Sequence, residues 1–147
     1  MISEGERSYN CCESTLIRID SGYELPGFGD EIMRAASNMG GGVGGWGSIC
    51  GAVSGAAIAL GLIYGTDGDD DPETFTGKRE EMREITQEFM RAFEEEWGSI
   101  KCIELLGVDF RTPEGEREYE NMKERDETHC AEYVEWASDK ILEMLSE

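Results

Sequence analysis

Positive charge is scarce in this chain, and the closely spaced C-x-x-C pairs of common metal sites are missing altogether. Its 147 residues include 13 Lys plus Arg against 33 Asp plus Glu, a net charge of −20. A field of that sign repels phosphate backbones and anionic lipid surfaces, which argues against nucleic acid and membrane partners and would steer a basic protein instead. His129 is the single histidine. A catalytic zinc site built on paired histidines therefore cannot form, and a Ser/His/Asp or Cys/His/Asn hydrolytic set has little support. No C-x-x-C occurs, which removes a thioredoxin-like site, and no C-x-x-C-H, which removes c-type haem attachment. Zinc ribbons and fingers bring their ligands as close pairs, and these cysteines do not.

Long apolar runs are lacking too. The opening residues contain Glu4, Glu6 and Arg7 and no apolar signal-peptide core, so a cytoplasmic location is expected. Only residues 49–64, ICGAVSGAAIALGLIY, approach a membrane span. They fall short of the roughly 20 residues a bilayer core requires, and their glycines and alanines read as a buried helix. Strand-like alternation and internal repeats are also absent. With 39% hydrophobic residues to fill a core, the expectation is one all-α domain over residues 1–147. It is a compact bundle of about five to six helices around a central Gly/Ala-rich helix.

Along the chain, a first helix is predicted over residues 8–19, with Cys11, Leu16 and Ile19 inward, and a second over 30–38. Residues 40–47, GGGVGGWG, are nearly all glycine and reach backbone conformations closed to other residues. They contain G-x-G-x-x-G from Gly42 to Gly47, but after a helix rather than a strand, so a dinucleotide fingerprint is not supported. Ser48 reads as the cap of the apolar helix, placing Cys50 in its first turn, where the positive helix end favours a thiolate. Gly51, Gly55 and Ala59, and likewise Ala57, Gly61 and Gly65, form ridges of small residues that let neighbouring backbones approach. Such a helix could also pack across a two-fold axis in a homodimer.

The acidic loop 67–72 reads as a solvated helix start. An EF-hand opened at Asp67 would need a bidentate glutamate where Lys78 stands. The next helix ends at Trp97 and carries a core stripe of Met82, Ile85, Phe89, Phe93 and Trp97. A short helix over 99–106 carries Cys102, and a last helix over 113–145 presents Cys130, Val134, Ala137, Ile141 and Leu145 on one face. Trp46, Trp97 and Trp136 read as packing residues.

Cys11, Cys50, Cys102 and Cys130 thus lie in four separate segments and can meet only if the fold gathers them. Any one of them could be a small buried hydrophobe. In a reducing compartment the five cysteines would not form a stable disulfide framework, which leaves reactive, metal-binding or buried thiols. Cys12 points about 100° away from Cys11 on a helix and cannot share its centre, though it could substitute or act as a resolving thiol. His129 should point away from the direction of Cys130.

Several motifs occur together in order: Y-N-C at Tyr9 to Cys11, the glycine-rich stretch before C-G-A-V-S-G at Cys50 to Gly55, and G-L-x-Y-G at Gly61 to Gly65. C-x-E-L-L-G at Cys102 to Gly107 and C-x-x-Y-V at Cys130 to Val134 follow. Over about residues 8–142 the chain resembles the redox-active family named for its C…GCAxxG…C…C pattern. The central block departs from that label, reading Cys-Gly-Ala where the label reads Gly-Cys-Ala. The resemblance implies a small helical redox protein, with Cys11, Cys50, Cys102 and Cys130 as ligands of a [2Fe–2S] or [4Fe–4S] iron–sulfur cluster. Thiolates are the usual ligands of such clusters. Backbone N–H groups at Gly42, Gly44, Gly45, Gly47 and Gly51 would donate to cluster sulfides. An electron carrier docking a basic redox partner is the first expectation. A thiol–disulfide enzyme or sensor with Cys50 as activated thiol is the second, and a metal-free interaction protein the third.

Overall fold

The computed structural model describes residues 3, 4 and 7–147. Two short strands, β1 (Ser3–Glu4) and β2 (Arg7–Ser8), pair antiparallel before the helical body. The helices are α1 (Cys11–Gly22), α2 (Asp30–Ser37), α3 (Gly51–Tyr64), α4 (Pro72–Trp97), α5 (Cys102–Leu106), α6 (Pro113–Glu124) and α7 (Cys130–Leu145). The all-α class holds, with seven helices among the described residues rather than five or six. The predicted helix over 113–145 is two helices. Arg125 caps α6, and Asp126 turns the chain at φ 56°, where a polar run offers no apolar face to continue the helix. No helix among the described residues is long and apolar enough to cross a membrane.

α1 starts three residues later than predicted because Asn10 takes the cap. Its Oδ1 accepts the Glu13 N–H at 2.8 Å, and the Glu13 carboxylate accepts the Asn10 N–H at 2.9 Å. The Asn10 side-chain amide also donates to the carbonyls of Ala36 and Ser37, tying the start of α1 to the end of α2. The acidic loop is a helix start as expected. Asp71 caps α4 through the Thr74 N–H, Pro72 occupies its first turn, and Asp70 pairs with Lys78 at 3.1 Å.

α3 lies at the centre, packed by α1, α4 and α7. Its contact with α1 is backbone against backbone. A Cβ added at Gly51 would lie 2.7 Å from Cys11 Cβ, and one at Gly55 would lie 2.8 Å from the Cys12 carbonyl oxygen. The second ridge is not used in this way, since a Cβ at Gly61 meets nothing within 4 Å. The helix stripes fill the rest of the core. Leu16, Ile19, Val53, Leu60, Phe89, Phe93 and Ile141 are fully buried, and Phe93 packs edge-on against Tyr133 and Trp136.

Replacing Gly55 by valine would force α1 and α3 apart and should destabilise the fold by about 1–3 kcal/mol, the usual cost of overpacking. Gly61→Ala, in open space on the same helix, should be neutral or stabilising by up to ~1 kcal/mol. Denaturant unfolding of the two variants compares them directly, and equal effects would contradict the packing described.

Candidate functional site

All four spaced cysteines sit at helix starts. Cys11, Cys102 and Cys130 are the first residues of α1, α5 and α7, and Cys50 is the residue capping α3. The sequence places only Cys50 in this way. The α1–α3 contact sets Cys11 against Gly51. A short antiparallel bridge between Ile49 and Lys101 brings the next thiol in. There the Cys50 N–H donates to the Ile100 carbonyl at 2.7 Å and the Cys102 N–H to the Ser48 carbonyl at 2.6 Å. α7 delivers Cys130, which accepts a hydrogen bond from the Cys11 thiol.

The four thiols line one cavity of about 430 Å³. Asn10, Ser37, Asn38, Leu105, Leu106, Tyr119, Tyr133 and glycines 40, 41, 44, 45 and 51 complete its wall. No disulfide links the cysteines. Among the described residues, no group of three or more His, Cys, Asp or Glu is arranged around a single metal ion.

Burial decides most of the thiol electrostatics. It pushes Cys50 up to about 11, outweighing the Ala52 and Val53 amides that favour its thiolate. Burial, with Cys50 and Cys130 nearby, pushes Cys102 up to about 12. Cys11 and Cys130 share a proton. Hydrogen bonding to Cys130 and burial raise Cys11, while the bond from Cys11 lowers Cys130 against its own desolvation. The readiest thiolate is therefore Cys130, not Cys50. At Cys50 the burial that its central helix imposes outweighs the helix dipole. Tyr119, beside these thiols, is pushed up to about 12, chiefly by burial.

The glycine loop contributes wall, and three of its expected donors are already used within it. Gly41, Gly42, Val43, Gly44, Gly45 and Gly47 all have positive φ. The N–H groups of Gly44, Gly45 and Gly47 are engaged within the segment, by the carbonyls of Asn38, Gly40 and Gly41 at 2.7, 3.0 and 2.9 Å. Gly42 is where the loop folds on itself, since a Cβ there would lie 2.8 Å from Gly47 Cα. Gly41, Gly44, Gly45 and Gly51 line the cavity, whereas Gly42 and Gly47 do not.

Cys12 is fully buried and turned toward Ser54, away from the cavity, as the helix geometry requires. His129 is exposed and bonded to Glu132 at 2.9 Å. Trp97 and Trp136 pack with the aromatic core, but Trp46 is 65% exposed, with the Arg111 guanidinium 4.7 Å above its ring. Tyr119 and Tyr133 were not singled out from the sequence. Tyr133 stood within the C-x-x-Y pattern, whereas Tyr119 carried no signal because its helix reads as charged and outward-facing.

Alkylation of the reduced protein by iodoacetamide should titrate Cys130 below the ordinary thiol range. Cys50 and Cys102 should react at rates that keep rising to pH 11 or above. Peptide mapping across pH reads each site, and equal midpoints would contradict the shared proton.

Comparison with curated proteins and with solved structures returns no match. The family model described as Putative redox-active protein (C_GCAxxG_C_C) matches residues 9–144, nearly the whole chain and all four cavity thiols. The chain belongs to that redox-active family.

Proposed function

We propose that this protein is an electron carrier whose Cys11, Cys50, Cys102 and Cys130 hold an iron–sulfur cluster. The observation that carries this reading is the meeting of four thiols, from four separated helix starts, at one cavity. Four thiolates are the common protein ligand set of both [2Fe–2S] and [4Fe–4S] centres. The cavity that the four thiols line, about 430 Å³, has room for a group of several atoms. Such a group, when bound, supplies one-electron oxidation and reduction at iron.

The chain's own contribution follows from the geometry. Cys130 is the readiest thiolate, and the other three thiols would release protons as they become ligands. Four helix N-termini directed at the site favour its negative charge. Leu105, Leu106 and the two tyrosines limit water, which together with hydrogen bonding sets the reduction potential. The acidic surface would attract a basic redox partner.

The adjacency of Cys11 and Cys130 favours a second reading, thiol–disulfide exchange. The Cys130 thiolate would attack a substrate disulfide and release one thiol. Cys11 would then displace the second, leaving a Cys11–Cys130 disulfide.

Protein purified without oxygen, after expression with iron and sulfur supplied, should be coloured and bleach with dithionite. It should contain iron and acid-labile sulfide in equal amounts. Cys50→Ser and Cys102→Ser should lose both, whereas Cys12→Ser should keep them. A colourless wild-type protein without iron, forming a Cys11–Cys130 disulfide in a glutathione buffer, would replace the first reading with the second.

A further inference from the structure

The thiol cavity opens beside a surface unlike the rest of the molecule. Residues 35–66 include no Lys, Arg, Asp or Glu, in a chain of net charge −20. Asn38, Gly41, Gly44 and Gly45 belong to that segment, face solvent and line the cavity. The same lip carries two of the three large hydrophobic side chains that are well exposed among the described residues, Val43 at 38% and Trp46 at 65%.

Trp46 is also held in place. Its loop is locked by internal hydrogen bonds, including the Trp46 N–H to the Val43 carbonyl at 3.0 Å. Its ring is held by Arg111, which Asp109 fixes through two bonds of 2.9 and 3.0 Å. An exposed tryptophan immobilised before any contact loses little freedom when it is covered, which is the property of an interface anchor.

We propose that this lip, centred on Trp46, is the docking surface for an electron-transfer protein whose contact face is apolar at its centre and basic at its rim. The partner's redox character rests on the electron-carrier reading. Its charge pattern rests on complementarity, because the loop at the contact centre carries no charged residue and the cation on Trp46, Arg111, is already paired with Asp109, while the surrounding molecule is strongly acidic. The position follows from the cavity, since Gly44 and Gly45, beside Trp46 in the same loop, both line it and face solvent.

Cytochrome c, a basic protein with an exposed haem edge ringed by lysines, serves as the probe. Its binding is titrated calorimetrically at low and at moderate salt, against protein with and without iron. Trp46→Ser, whose fold is checked by circular dichroism, should weaken binding about 10-fold or more at both salt concentrations. Glu95→Lys, on the exposed side of α4, should weaken it less and only at low salt. Unchanged affinity of Trp46→Ser, no binding by wild type, or an equal loss in Glu95→Lys would overturn the proposal. So would a wild-type dimer that Trp46→Ser converts to monomer, which would assign the lip to a second copy of the chain. Binding needs no iron, so a colourless protein with Trp46-dependent binding sinks the cluster alone. A loaded protein with Trp46-independent binding sinks the docking surface alone.

Discussion

The close approach of α1 and α3 is the constraint from which the site follows. Two glycines, Gly51 and Gly55, let the backbone of α3 touch that of α1 around Cys11 and Cys12. The contact does two things at once. It sends Cys12 into the core and leaves Cys11 facing Gly51 across the cavity wall. It also makes α3 the floor on which α4 and α7 pack, and α7 carries Cys130 to Cys11. A side chain at Gly51 would press directly on Cys11, and one at Gly55 on the Cys12 carbonyl and Thr15.

Placing every thiol at a helix start gives the cavity a consistent electrostatic character. Unpaired amides and the positive helix end favour anionic sulfur, while burial opposes it at each position. The balance falls against ionisation at Cys50 and Cys102 and in favour of it at Cys130, where the Cys11 thiol donates. The site is thus a cluster of thiols in which Cys11 donates to Cys130 while burial favours the protonated form of Cys50 and Cys102. The glycine loop adds a wall with no side chains, and the outer edge of that wall is the uncharged lip around Trp46.

Much of this was legible in the chain because helical periodicity and small-residue spacing leave direct marks. The apolar stripe through Phe89 and Phe93, the central Gly/Ala helix and the divergent directions of Cys11 and Cys12 could all be read from spacing. What could not be read depends on tertiary burial or on where amides are consumed. Cys50 looked activated because its helix-start position is visible, whereas its burial is not. The loop glycines looked like hydrogen-bond donors because their number is visible, whereas their engagement within the loop is not. The break at residues 125–129 was hidden because a charged helix and a polar turn have similar composition. Tyr119 was hidden because its contact with the thiols comes from the return of that helix.

The most direct test of the account is an anomalous difference map at the iron edge, from crystals grown without oxygen. The account places a single compact iron site within bonding distance of the Sγ atoms of Cys11, Cys50, Cys102 and Cys130. Iron bound elsewhere, or four reduced thiols around a cavity without iron in protein shown to be fully loaded, would contradict it.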